Sequence, residues 1–204
     1  SFPLVLALVV VKNEHNPKPV EPAIEYNRQP KEVPIGEDIR LVSWNIQFAG
    51  SRKHHFFYDG GQAVQVPKSD VEESLQHIKA ALKREGTDIA LLQEVDRFSD
   101  RTAEIDQLDD LLQYGEGLNF SATPYHKVPY VPTPSHEHMG RVNLNLAVIS
   151  TFTITDSKRH QLALLDEPRW RQYFNLKRAI LESSLPLEDN RGVLRVAVTH
   201  LSAF

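Results

Sequence analysis

The stretch Asp88-Ile89-Ala90-Leu91-Leu92-Gln93-Glu94 is a run of apolar residues that ends in two polar side chains. A continuous apolar run of this length is typical of a strand that is buried on both faces. A similar run, Ile39-Arg40-Leu41-Val42-Ser43-Trp44-Asn45-Ile46, lies upstream and also reaches a polar residue. Two buried strands are therefore predicted, the first ending at Asn45 and the second terminating in Glu94.

A helix is predicted between these two strands. Ser69-Asp70-Val71-Glu72 has the spacing of a capping box, which opens a helix, and Gly86 has the position of a residue that ends one. The apolar residues between them follow helical spacing: Val71, Leu75, Ile78 and Leu82. A strand, helix, strand unit implies that the two strands are parallel and joined by a right-handed crossover.

Further elements follow downstream. A short helix is predicted over residues 103–112 and a strand over residues 143–150. Alternating patterns at 171–182 and 192–201 predict two antiparallel strands joined through turn residues 188–192. In the last strand the residues that share one face are Leu194, Val196, Val198 and His200. His200 is thus expected at the end of an apolar stripe.

The amino-acid composition limits which metal sites and ligands the protein can have. The chain has 204 residues, 41% of them hydrophobic and 25% charged, which is typical of a globular protein. It contains no cysteine, so disulfides and thiolate metal sites are excluded, and any metal must bind oxygen or imidazole ligands. The net charge of -4 argues against tight nonspecific binding to a polyanion.

The first 37 residues differ in composition from the rest. Residues 1–11 are almost wholly apolar but too few to span a bilayer, which needs roughly 20 residues. Two interpretations remain, a trimmed signal or membrane anchor and a strand that packs in the fold. The first places the protein outside the cell or at a membrane, and the second in the cytoplasm. Five prolines in residues 12–37 predict an extended tether, so the chain is divided into residues 1–37 and a domain over 38–204.

Three polar residues, Asn45, Glu94 and His200, each lie at the end of a predicted buried strand. Strand ends hold side chains at a common rim, which is where α/β sheets usually place their sites. Each residue alone has an ordinary structural explanation, because asparagine caps turns, glutamate is solvated at strand exits, and most isolated histidines are structural.

Their sequence contexts together resemble the endonuclease/exonuclease/phosphatase superfamily, which includes deoxyribonuclease I. The motifs are Ser43-Trp44-Asn45-Ile46, Leu92-Gln93-Glu94-Val95-Asp96 and Val198-Thr199-His200-Leu201, in that order. Residues 145–150 are similar to the family's central strand, although Thr151 replaces the arginine that usually follows it. The resemblance implies an α/β fold, part of a two-sheet α/β sandwich flanked by helices.

The resemblance also implies roles for the three residues. Glu94 would bind Mg²⁺, with Mn²⁺ as the alternative ion, and Asn45 would help to place the metal or the phosphate. His200 would donate a hydrogen bond to the scissile phosphate. The family's general base lies in a Ser-Asp-His motif and further phosphate contacts in a Gly-Asp-x-Asn motif, and this sequence contains neither. We therefore expect a domain that is C-terminally truncated, and a 204-residue chain that is inactive or nearly so by itself.

Other polar clusters have weaker signals. His136-Glu137-His138 suggests a metal site, but flanking prolines and Gly140 favour an exposed loop. The aromatic run at residues 54–58 either lines the cleft or packs under a loop, and Pro168-Arg169-Trp170-Arg171-Gln172-Tyr173 suggests a ligand grip or a rim of alternating strand residues. No chemistry is assigned to Arg101, Asp106 or Gln107.

The function implied is a metal-dependent phosphoester hydrolase, that is, a phosphodiesterase, nuclease or phosphatase. Its substrate is a lipid, an inositol phosphate or a nucleic acid. If residues 1–11 are a trimmed export or anchor segment, a lipid or extracellular substrate and a membrane association are favoured, and the acidic net charge favours the same substrates. The alternative is a non-catalytic module that binds a phosphorylated ligand or a protein. In that case exposed sheet edges need a cover, such as a homodimer.

Overall fold

The structure, a computed structural model, describes residues 14–201. Strands alternate with a few helices along the chain. The strands are β1 (Val20–Pro22), β2 (Ile24–Tyr26), β3 (Leu41–Asn45), β4 (Ile89–Asp96), β5 (Asn119–Val131), β6 (Gly140–Ser150), β7 (Thr155–Gln161), β8 (Ala179–Pro186) and β9 (Val193–Thr199). The helices are α1 (Lys68–Arg84), α2 (Gln107–Leu111) and α3 (Arg169–Gln172).

The strands form two sheets. One has four strands in the order β1-β7-β8-β9 and the other has five in the order β2-β5-β6-β4-β3. All neighbours are antiparallel except β3 and β4, which are parallel from Leu41 opposite Ile89 to Asn45 opposite Gln93. Because β4 and β9 contact each other across the sheets, one apolar core lies between them. The predicted two-sheet α/β sandwich is confirmed.

Helix α1 is the crossover that joins β3 to β4. Its predicted apolar face is buried, with Val71, Leu75, Ile78 and Leu82 exposed by 6% or less. Burial of such side chains contributes about 1.5 to 3 kcal/mol each. Gly86 takes φ +60° and ends the helix, as predicted.

The predicted capping box is wrong. Helix α1 begins at Lys68 after Pro67, and no side chain among the described residues caps its N-terminus. The fixed backbone φ of Pro67 directs the chain into the helix before Ser69. The Asp70 carboxylate instead accepts hydrogen bonds from Lys53 and His54 in the preceding loop.

Strand β4 continues past Glu94, so the prediction that it terminates there is wrong. Leu92 pairs with Ala147, and Val95, three residues later, pairs with Asn145. One extra residue is thus accommodated in a β-bulge, and Glu94 takes φ +60° within it. Alternation of apolar and polar residues along a strand sequence does not show where such an extra residue lies.

The downstream predictions are partly confirmed. The strand predicted at 143–150 is present as β6, and the last hairpin is present as β8 and β9, joined by a 3₁₀ turn at Glu188–Asn190. The strand predicted at 171–182 is wrong before residue 179, because α3 and an irregular segment precede β8. The helix predicted at 103–112 is reduced to α2, preceded by a 3₁₀ turn at Asp100–Thr102.

The proline-rich segment is extended, as predicted, but it packs against the domain over residues 20–33. Strand β1 lies antiparallel to β7 and β2 antiparallel to β5, so the segment adds an edge strand to each sheet. Proline is tolerated at Pro22 because an edge strand needs no donor on its outer side. Asn27 exchanges two hydrogen bonds of 2.8 Å with the backbone of Ile154. This part of the segment is therefore not a free tether.

Residues 1–11 lie outside the described residues, so both interpretations of that segment remain predictions. Among residues 14–201, no helix has the length and apolar character needed to cross a membrane.

Candidate active site

Asn45, Glu94 and His200 meet at one end of the two sheets. Asn45 Nδ2 donates to Glu94 Oε1 at 2.8 Å, and His200 Nε2 lies 3.1 Å from the same oxygen. Asn45 ends β3 and Glu94 lies in the bulge of β4, both in the five-stranded sheet, whereas His200 follows β9 of the four-stranded sheet. The site is thus built across the sandwich.

Backbone conformation aims these side chains. Glu94 is in the left-handed region, which is uncommon for residues other than glycine and often occurs at functional sites. After Asn45 the chain turns sharply, and Gln47, Phe48 and Ala49 are also left-handed. Gly50 is required here because a Cβ would lie 2.6 Å from the Phe48 ring.

A buried glutamine holds this turn against β4. Gln107 Nε2 donates to the Phe48 carbonyl at 2.6 Å, and its Oε1 accepts from the Asp96 amide at 3.1 Å. The sequence predicted no role for Gln107, whereas its contacts in the structure position the turn that carries the site.

The Glu94 carboxylate is held ionised. Burial alone would raise the pKa of Glu94, but the hydrogen bonds from His200 and Asn45 outweigh burial and lower that pKa below its usual range. Both partners approach Oε1, and within residues 14–201 no side chain donates to Oε2. One carboxylate oxygen therefore remains for another ligand.

Arg178 also lies in the site. Its Nη1 is 2.9 Å from His200 Nδ1 and 3.0 Å from the His200 carbonyl oxygen. A guanidinium can only donate, so Nδ1 is the acceptor and the His200 proton lies on Nε2, facing Glu94. Arg178 was not predicted from the sequence, because only the observed hairpin register, in which Ile180 pairs with Thr199, brings the residue before β8 close to the residue after β9.

Tyr125 is the second residue that sequence analysis missed. It lies in β5 and is fully buried, with its ring 5.5 Å from the His200 ring. Its hydroxyl has no hydrogen-bond partner within the described part of the chain. Burial, reinforced by the charge of Glu94, raises the pKa of Tyr125, so the hydroxyl keeps its proton as an unused donor. A single tyrosine in a strand carries no sequence signal of this kind.

Arg101 and Asp96 form a buried ion pair beneath the site. Arg101 Nε and Nη2 donate to the two Asp96 carboxylate oxygens at 2.8 and 3.1 Å, and the guanidinium lies 3.9 Å from the centre of the Phe48 ring. Burial alone would lower the pKa of Arg101, but Asp96 raises it. The cation is thus fixed below the cavity.

A cavity of about 690 Å³ opens above these groups. It is lined by polar residues on one side and by aromatic and aliphatic residues on the other. Its polar lining includes Asn45, Gln47, Glu94, Arg101, Arg178 and His200, and its apolar lining includes Phe48, Phe57, Tyr58, Tyr125, Met139, Leu144 and Leu176.

Two of the other sequence candidates, residues 136–138 and 168–173, lie outside this cavity. His136 and His138 are in the exposed loop between β5 and β6, as favoured, where they contact the Gln62 carbonyl and the Tyr130 hydroxyl. Within residues 14–201, no group of three or more acidic or histidine side chains is arranged to hold a metal. Residues 169–172 are helical, so the interpretation of Pro168–Tyr173 as a strand rim is wrong.

The fold and the site define a two-sheet α/β sandwich with a carboxylate, an amide, a histidine and an arginine at one end. The chain belongs to the Endonuclease/Exonuclease/phosphatase family, whose sequence model matches residues 42–187. That range contains Asn45, Glu94 and Arg178, and ends before His200. None of the curated proteins matches the chain.

Several solved structures are similar to the chain, among them three with the following identities and coverage. An endonuclease/exonuclease/phosphatase of Beutenbergia cavernae shares 21% identity over 80% of this chain and 38% of its own, with a TM-score of 0.49. A family protein of Leptotrichia buccalis shares 14% sequence identity. The match covers 81% of this chain and 55% of that protein's chain, with a TM-score of 0.50. The human Nocturnin catalytic domain shares 18% sequence identity. The match covers 89% of this chain and 54% of that domain's chain, with a TM-score of 0.47. The chain thus spans between 38% and 55% of the length of these structures, and at these identities the likeness concerns the fold alone.

Proposed function

We propose that the protein hydrolyses a phosphoester with the help of a divalent cation, Mg²⁺ or, as the alternative, Mn²⁺. The observation that carries the proposal is the convergence of four side chains on one cavity, in which Asn45 and His200 both contact Glu94 and Arg178 contacts His200. Members of this family are commonly hydrolases and generally use divalent metals.

The donor set at Glu94 fits a hard cation. Mg²⁺ prefers oxygen ligands and retains several waters, so one carboxylate oxygen with an open approach is sufficient protein ligation. Glu94 Oε2 provides that oxygen. When bound, the cation would stabilise negative charge on the phosphoryl oxygens or on the leaving group.

Asn45 then acts mainly through Glu94. Its Nδ2 donates to Glu94 Oε1, while its Oδ1 accepts from the Gln47 amide at 2.9 Å and is thereby turned away from Glu94. Supporting contacts of this kind orient a ligand and typically change metal affinity 10- to 100-fold. Asn45 is therefore proposed as a positioning residue more than as a direct ligand.

Arg178, His200 and Tyr125 would bind the phosphate. A guanidinium presents parallel donors that match phosphate oxygens, and the Tyr125 hydroxyl is a donor without a partner among the described residues. The Nε2 proton of His200, now directed to Glu94, would turn to a phosphoryl oxygen as charge builds there. None of these groups is free to take a proton from an attacking water, so hydrolysis needs a base beyond them.

The test is hydrolysis by the protein expressed from its complete open reading frame. With Mg²⁺, we expect turnover of one of three substrates: DNA, sphingomyelin or an inositol phosphate. Glu94→Gln should reduce that turnover by at least a hundredfold, whereas Glu72→Gln, on the exposed face of α1, should not. Turnover that survives Glu94→Gln would refute the role of Glu94. Metal-dependent phosphate binding without turnover would favour the non-catalytic module.

A further inference from the structure

The aromatic segment after β3 lies at the edge of the candidate site, and the proposed chemistry does not use it. Tyr58 lines the cavity together with Glu94 and His200, yet 53% of its surface is exposed. An exposed tyrosine beside a phosphate-binding group is positioned to contact whatever the phosphate is attached to.

The Tyr58 ring is packed against its two neighbouring phenylalanine rings. The Phe56 ring is buried and parallel to the Tyr58 ring, with an interplanar angle of 1° and centroids 5.5 Å apart. Phe57 packs edge-on against Tyr58, with ring centroids 5.4 Å apart. Packing on these sides fixes the plane of the ring and leaves its exposed part towards the cavity and solvent.

The backbone of the segment is equally constrained. The Gly61 amide donates to the Phe56 carbonyl at 2.8 Å, and the Ala63 amide donates to the His55 carbonyl at 3.0 Å. A Cβ on Gly61 would lie 1.9 Å from the His55 oxygen, so only glycine permits this tight turn. Tyr58 is therefore presented on a preorganised turn, which lowers the entropic cost of binding.

The charges that line the cavity decide which kind of group binds to the Tyr58 ring. Aromatic faces also bind quaternary ammonium groups, but the divalent cation proposed at Glu94 and the Arg178 guanidinium already supply positive charge in this cavity and disfavour a further cation. A neutral planar base avoids that repulsion and stacks on an aromatic face. The combination favours a nucleobase over a choline headgroup.

We propose that Tyr58 is a stacking surface for an unpaired base, so that the site prefers a nucleoside phosphoester to a phospholipid or an inositol phosphate. The inference rests on the proposed function, because the phosphate must occupy the site beside Glu94 and Arg178. Stacking on one aromatic side chain typically changes affinity by about tenfold or more.

The test compares two ligands that differ only in the base. Affinities of adenosine 5′-monophosphate and ribose 5-phosphate are measured by calorimetry with Mn²⁺ present. We expect the native protein to prefer the nucleotide, Tyr58→Leu to reduce that preference about tenfold, and Tyr58→Phe to retain it. Tyr26→Leu is the matched control, because Tyr26 is 52% exposed and lies at the opposite edge of the five-stranded sheet.

The outcomes separate this inference from the proposed function. If both ligands bind with equal affinity and Glu94→Gln weakens both, the phosphate site stands and the stacking surface is refuted. An unchanged nucleotide preference in Tyr58→Leu refutes the stacking surface as well. If neither ligand binds in a metal-dependent way, the proposed function fails and the inference fails with it. Circular dichroism of each variant verifies the fold.

Discussion

Single residues define the site, and three of them were identifiable from sequence. Asn45, Glu94 and His200 stand at the ends of apolar runs, and the structure brings them together. Arg178 and Tyr125 were not identifiable, because their place in the site depends on hairpin register and on the packing of one sheet against the other. The roles of all five residues stay predictions.

Arg101 offers a direct test of the buried ion pair. Arg101→Met should lower the free energy of unfolding by about 3 to 5 kcal/mol, because it leaves the Asp96 carboxylate buried without its cation. Urea denaturation measures the loss. Arg84→Met is the control, since the Arg84 side chain is 72% exposed and its ion pair is with the exposed Glu85, and it should change stability by no more than about 0.5 kcal/mol. Equal losses in the two variants would contradict the assignment.

His126 predicts a pH dependence of stability. Burial, followed by the charge of Arg101, lowers the pKa of His126 to about 4, whereas an unfolded histidine titrates near 6.5. The unfolded state therefore binds more protons between these values, so this contribution is complete above about pH 6.5 and is lost as the pH falls to about 4.

The measurement is the free energy of unfolding across that pH range. His126→Gln should flatten its dependence by up to about 1.4 kcal/mol per pH unit, and the side-chain amide can still donate to the Phe174 carbonyl, which accepts from His126 at 2.9 Å. The same substitution at the exposed His77 is the control. An undiminished slope in His126→Gln would show that His126 is not the titrating group.

At the scale of elements, the expected burial of the first strand is wrong, because β3 is an edge strand whose residues are exposed or half-buried. Apolar periodicity predicted α1, the parallel pair β3 and β4, and the final hairpin. It could not predict the bulge at Glu94, because one extra residue leaves the composition of the strand unchanged. It also missed β1 and β2, which are three residues long and contain or flank prolines, so pairing with the sheets determines them. The error at 171–182 has the same origin, since a four-residue helix has no detectable period.

Gln107 couples two of these elements, the turn after β3 and strand β4. Gln107→Leu would leave the Phe48 carbonyl and the Asp96 amide unpaired, each at a cost of about 1 to 3 kcal/mol. We expect a loss of stability of about 2 to 4 kcal/mol and faster hydrogen exchange at the Asp96 amide. Gln113→Leu, at an exposed position after α2, is the control. Unaltered exchange at Asp96 in Gln107→Leu would contradict the coupling.

At the scale of the whole molecule, the site depends on the packing of two sheets. Asn45 and Glu94 come from the five-stranded sheet, and Arg178 and His200 come from the four-stranded sheet. The segment around β1 and β2 contributes a strand to each and so joins them along one side. The family resemblance implied the two sheets, while the registers that align their ends emerge only from packing.

The most direct test of the site is a titration of the chain with Mn²⁺, followed by electron paramagnetic resonance, in the native protein and in Glu94→Gln. We predict one Mn²⁺ site per chain, weakened at least tenfold by Glu94→Gln and left intact by Glu72→Gln. Equal Mn²⁺ affinity in the native protein and in Glu94→Gln would contradict the assignment of Glu94 as the metal carboxylate.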